Sequence, residues 1–225
     1  NLFLGKIHSL GTELLFSFSI SLLGLFLLII NAFKYFFSKN GKERAYQIFS
    51  WYLVFTALTE TACNIMGFLQ PNSNLFLSHI SLFISFSFLN YFFWLVLENK
   101  FFRKFIPIYF VLVTAIVLYQ YFREPEKIWV FNLFEILSIS VSLIVYALVY
   151  IYENLDKEMR YFHFAVGLIV YFLCSSTIFL SGNLDLVFYT KPVYLDVWIF
   201  NSVAFLAFQY FIYKNFKILN DVQRA

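Results

Sequence analysis

Two carboxyl groups sit inside apolar runs where water has little access. Glu60 lies in ALTETACNIMG and Glu135 in FNLFEILSIS. Asn64 follows Glu60 at i+4 and Thr56 precedes it at i−4, so a helix sets all three on one face. Asn132 stands at i−3 from Glu135, and Ser138 and Ser142 continue that stripe. Ionisable and amide groups inside a bilayer are costly and mark a site by default. Their other use is to bond one helix to the next. Both readings stand for Glu60 and Glu135. Two carboxyls that faced each other could share a proton or clamp a cation. His79, with Ser81 and Ser85 nearby, falls in the same half of the bilayer, as does Asp196 with Asn201 and Ser202 about a turn below. The candidate ligand- or proton-binding set is therefore Glu60, Asn64, His79, Asn132, Glu135, Asp196 and Asn201.

Other chemistries lack their residues. A retinal Schiff base needs a lysine midway along the seventh helix, and residues 194–213 contain none. A catalytic zinc takes three protein ligands and a water. The three histidines are scattered, with His8 near the terminus and His79 and His163 toward opposite membrane faces. Cys63 and Cys174 read as small packing residues. The seven glycines are dispersed and build no phosphate loop. No catalytic residue, metal or cofactor is expected, and the chain is read as a non-enzyme.

The elements that must position these groups follow from composition. The 225 residues are 61% hydrophobic and 13% charged, with 33 Phe, 16 Tyr and 4 Trp. Mean hydropathy is +0.76. An ordinary soluble chain is roughly 45–50% apolar and about 25% charged. This excludes a soluble domain, a disordered chain and a disulfide scaffold, and it leaves an integral membrane protein. The small net charge of +3 gives no reason to expect a nucleic-acid partner. A membrane helix takes about 20 apolar residues. Seven such stretches run over 12–37, 45–69, 74–98, 104–122, 128–152, 159–181 and 194–215, predicting an all-α bundle of seven membrane helices in one domain over 1–225. Continuous apolarity rather than alternation argues against a barrel. The first stretch is too long for a signal peptide and is read as a retained helix.

Lysine and arginine set the orientation. With the N-terminus outside, the inner side holds Lys34, Lys39, Lys42, Arg44, Lys100, Arg103, Lys104, Lys157, Arg160, Lys214, Lys217 and Arg224. Only Lys6, Arg123, Lys127 and Lys191 then fall outside. Trp51 and Trp94 sit near the inner interface and Trp129 and Trp198 near the outer one. Most membrane-embedded polarity gathers in the outer half, as for a pocket opening outward. The phenylalanines of the third helix, Phe83, Phe86, Phe88, Phe92 and Phe93, read as lipid-facing and core bulk.

In layout the whole chain resembles a loose group of small, uncharacterised seven-helix membrane proteins from Bacteroidetes-like bacteria, themselves similar to sensory membrane modules of histidine kinases. The resemblance rests on TETACNIMG (59–67), FFRKF (101–105), NLFEILSIS (132–140), CSSTIFLSG (174–182) and DVWIFNSVAF (196–205). It implies sensing, assigns no catalytic residue, and implies a cytoplasmic-membrane location with the lipid bilayer and a histidine kinase or other membrane protein as partners. The leading expectation is a sensory or accessory signalling module that binds a small ligand, ion or protons. A small proton- or ion-coupled transporter or channel is the rival. It would need polarity that continues inward, for which Asn31, Asn90 and Gln209 are the candidates. An intramembrane enzyme is the third and weakest reading.

Overall fold

A chain that buries continuous apolar runs must satisfy its backbone within each segment, and the helix does so. The computed structural model describes residues 12–38, 43–69, 75–157, 159–183 and 197–221. The described residues form α1 (Thr12–Phe36), α2 (Arg44–Leu69), α3 (Leu75–Val96), α4 (Lys100–Arg123), α5 (Leu133–Glu153), α6 (Phe162–Asn183) and α7 (Val197–Asp221). One 3-10 turn, Pro125–Trp129, links α4 to α5. Five of the helices, α1, α3, α4, α5 and α6, are long and apolar enough to cross a membrane. Their outward faces carry Phe26, Phe33, Ile108, Val111, Leu118 and Phe122, all exposed. A soluble monomer rarely shows so continuous an apolar surface. The fold is that of an all-α membrane protein. Helices α2 and α7 are equally long, at 26 and 25 residues, but less apolar. Their polar side chains turn inward: Ser50 and Thr56 of α2 and Gln209 and Asn215 of α7 are buried.

Two helix starts differ from the sequence expectation by four residues or more. The fourth helix begins at Lys100, so FFRKF is helical rather than loop. The Asn99 side chain accepts from the Phe101 amide at 2.8 Å and caps this earlier start. The Glu153 carboxylate accepts the Glu98 and Asn99 amides at 2.8 and 2.9 Å and holds the cap in place. Pro107 therefore falls inside α4 rather than in its first turn. The fifth helix begins at Leu133 rather than 128, because Pro125 opens a separate 3-10 turn and Asn132 caps the helix that follows.

The helices close into a ring. Around it, α1 packs on α2, α2 on α3, α3 on α5, α5 on α6, α6 on α7, and α7 on α1. Helix α4 stands outside the ring, against α3 and α5. One end of the bundle, where Lys34, Arg44, Lys100, Lys157, Arg160 and Lys217 lie, is called the basic end below. The other is the pocket end. Two ion pairs tie loops at the basic end, Lys157–Glu98 at 2.7 Å and Arg160–Glu43 at 2.6 Å. Such partly exposed pairs contribute about 0–1 kcal/mol each.

The half of the ring toward the basic end is filled by aromatic rings. Phe164 of α6 meets Phe49 edge-on at 4.6 Å between centroids, Phe92 at 5.4 Å and Phe208 at 6.1 Å. Its neighbours Phe93 and Tyr161 are also buried. The phenylalanines of the third helix divide as the sequence implied, with Phe86, Phe92 and Phe93 buried and Phe83 exposed.

Close approach of α6 to α7 depends on Gly167. A Cβ added there would lie 2.6 Å from the Phe211 Cβ and 3.0 Å from its Cγ. Those atoms are tied to the α7 backbone and cannot swing aside, so the helices must part. Gly167→Ala is expected to cost about 1–3 kcal/mol, measured by denaturant unfolding in bicelles. Gly24→Ala meets the Phe205 ring at 2.8 Å and the Leu206 Cα only at 3.8 Å, and should cost less because the ring can turn.

Candidate functional site

The pocket end of the ring is hollow. A cavity of about 640 Å³ is lined by residues of α2, α3, α5, α6 and α7 and by the segment before α5. Glu60 and Cys63 come from α2, and Ser78, His79, Ser81 and Ser85 from α3. Ser140 comes from α5, Tyr171, Phe172 and Ser175 from α6, and Asn201, Ser202 and Phe205 from α7. Leu75, Trp129, Phe131 and Phe179 line it at the pocket end. Toward the basic end the cavity reaches Ser85, Ser140, Phe172 and Phe205. Beyond that level stand Phe92, Phe164 and Phe208, all buried. The cavity is thus blind on that side.

Glu60 reaches the cavity from the ring's inner face. Its Oε1 accepts from the Ser81 hydroxyl at 3.1 Å. Asn64 does not line the cavity. Its Nδ2 donates to the Glu60 carbonyl at 2.8 Å, and its Oδ1 accepts from Ser21 of α1 at 3.2 Å. Asn64 therefore ties α2 to α1.

Glu135 engages a different partner. Its Oε2 is 2.8 Å from His79 Nδ1 and also accepts the Tyr121 hydroxyl. The Tyr121 oxygen is 2.9 Å from the same His79 nitrogen. On the other side of the ring, His79 Nε2 is 3.1 Å from the Val130 carbonyl. A carbonyl only accepts, so Nε2 carries a proton and donates it. Nδ1 then faces two oxygens. Tyr121 supplies one proton, given to Glu135. The contact between Nδ1 and Oε2 needs one more, held as imidazolium with carboxylate or as carboxylic acid with neutral imidazole. Either way the cluster is neutral overall, which suits residues only 1% and 6% exposed.

Glu60 and Glu135 do not bond to each other. His79 and Ser81 are two residues apart on α3, hence about 200° around a helix of 3.6 residues per turn. The two carboxyls engage different faces of α3, and the helix stands between them. Asn132 is a helix cap rather than a ligand-facing stripe. Its Oδ1 accepts from the Glu135 amide at 3.4 Å, and its Nδ2 donates to Gln120 Oε1 at 2.8 Å. Asn201 lines the cavity, and its Oδ1 is buried with no hydrogen-bond partner. Asp196 lies outside the described residues.

Of the sequence candidates, the cavity gathers Glu60, His79 and Asn201. Glu135 stands behind His79 as its partner. Sequence reasoning missed Tyr121 and Gln120, which α4 brings from outside the ring. The signal was present as paired polar groups in YQYF at the end of an apolar helix. Using it required knowing that α4 packs beside α3 and α5. Tyr171 was hidden for a similar reason, since its inward face appears only once α6 is placed between α5 and α7.

Removing the Tyr121 hydroxyl leaves the His79–Glu135 proton in place. Tyr121→Phe is expected to cost about 1 kcal/mol, one hydrogen bond's net worth, on thermal unfolding in nanodiscs.

Comparison of the chain with protein-family models, with curated proteins and with solved structures finds no match. The functional reading rests on the site's own chemistry.

Proposed function

We propose that this chain is a membrane sensory or accessory module of seven membrane-crossing helices, with the N-terminus outside and the C-terminus inside, in a bacterial cytoplasmic membrane. A small ligand enters the cavity at the pocket end, and a cytoplasmic partner such as a histidine kinase reads the basic end. The observation that carries this reading is the blind cavity: a polar chamber in one half of the ring and packed aromatic rings in the other. A transport path needs polar continuity across both halves. The inward amides do not line the cavity; their donor sides are taken up within the bundle, and Asn31 Oδ1 and Asn90 Oδ1 are buried without a partner. Asn31 Nδ2 donates to Gln209 O at 2.8 Å and Oε1 at 3.2 Å, bonding α1 to α7. Asn90 Nδ2 donates to the Phe86 carbonyl of its own helix at 2.6 Å.

The orientation is supported by the excess of Lys and Arg at the basic end, which faces the cytoplasm. Helices α2 and α7 cross as well, being longer than the roughly 20 residues a bilayer requires. Their polar faces are covered by the ring. Helix α7 offers the route for a signal. It runs unbroken from the cavity residues Asn201, Ser202 and Phe205 to Asp221 at the basic end. A ligand biases such an element only through different affinities for its two positions.

Isolation from the host membrane in mild detergent, followed by mass spectrometry of proteins and small molecules, tests this reading. A signalling protein at fixed stoichiometry is the expected result. Proteoliposome uptake that depends on pH and is lost in Glu60→Gln would overturn it in favour of a transporter.

A further inference from the structure

The cavity is chemically one-sided. Among the described lining residues Glu60 is the single carboxyl, and there is no lysine or arginine. The imidazole of His79 offers no free group, because both ring nitrogens are occupied by Glu135, Tyr121 and the Val130 carbonyl. The Ser81 hydroxyl is donated to Glu60. Asn201 Oδ1 is a buried acceptor with no partner. Among the described residues, Glu60 and Asn201 thus line one chamber with no fixed cation to answer them. Tyr171, Phe172 and Phe205 line the same chamber.

We infer that the cavity binds a small organic ammonium ion, its N–H groups donated to Glu60 and Asn201 and its apolar part held against the aromatic walls. The inference rests on the pocket reading above and names the ligand class of that site. An anion would meet Glu60 with no compensating charge. A bare divalent cation is held by several carboxylate oxygens, and among the described lining residues Glu60 is the one carboxyl. At about 640 Å³ the chamber is also far larger than an ion and is in the range of small-molecule sites. An ammonium ion supplies the missing positive charge and the missing donors together. Aromatic faces favour it further through their quadrupoles.

The test uses three probes of one shape and different charge: 2-phenylethylamine, 2-phenylethanol and phenylacetate. Each is titrated calorimetrically into the full chain in phosphatidylcholine nanodiscs, with empty nanodiscs subtracted. The amine is expected to bind at least about tenfold more tightly than the alcohol, as a desolvated charge pair should. Phenylacetate is expected to bind more weakly than either. Glu60→Gln should erase the amine's advantage over the alcohol. Equal affinities for amine and alcohol, or an advantage that survives Glu60→Gln, would overturn the ammonium assignment while leaving the pocket intact. Binding of none of the three would overturn both. The wild-type series decides alone should the variant fail to fold.

Discussion

His79→Leu is expected to destabilise the bundle by about 3–5 kcal/mol, the cost of stranding one member of a buried ion or proton-sharing pair. Glu135→Leu is expected to cost clearly less, about 1–2 kcal/mol. The asymmetry comes from the hydrogen-bond inventory. Without Glu135, the imidazole still donates from Nε2 to Val130 and can accept the Tyr121 hydroxyl at Nδ1, so every group stays paired. Without His79, the Glu135 carboxyl keeps only the Tyr121 donor and loses the proton-sharing partner that made the site neutral. The link from α3 to the segment before α5 goes with it. Thermal unfolding of both variants in one lipid system reads the difference. Equal losses would contradict the asymmetry of this inventory.

Phe164→Ala is expected to cost about 3–5 kcal/mol, the range for emptying a buried aromatic site. Phe164 is fully buried and touches rings from α2, α3 and α7. Its removal opens a void under the cavity floor in the one region that separates the chamber from the basic end. Stability should therefore fall together with the seal. In proteoliposomes, Phe164→Ala should pass small polar solutes that the wild type holds back. A variant that is destabilised yet still tight would show that the remaining rings close over the gap. A variant as stable as wild type would contradict the packing described.

Much of this architecture was legible in the sequence, for a definite reason. Apolar runs of about 20 residues broken by charged separators leave few alternatives to membrane helices. The helix ends were less legible where caps decide them. Asn99 and Asn132 each move a boundary by four or five residues through one side-chain bond, which hydropathy does not record. Within the site, Glu60, His79 and Asn201 stood out because polar groups in apolar helices need partners. The identity of those partners did not. Glu60 and Glu135 both occupy the pocket half, and only the placement of α3 between them decides that they part rather than meet. Tyr121 was invisible because α4 lies outside the ring, a packing order that no single helix encodes.

A chamber that opens to one side of the membrane only can be read out by thiol accessibility. Ser202→Cys and Ser140→Cys would each be placed in a Cys63→Ala, Cys174→Ala background. Vesicles of known orientation would then be exposed to a membrane-impermeant trimethylammonium methanethiosulfonate reagent, with Lys104→Cys marking the basic end. Both pocket cysteines are expected to react from the pocket end and to be protected from the basic end, where the marker alone reacts. Modification from both sides at similar rates would contradict it and make the bundle a pathway.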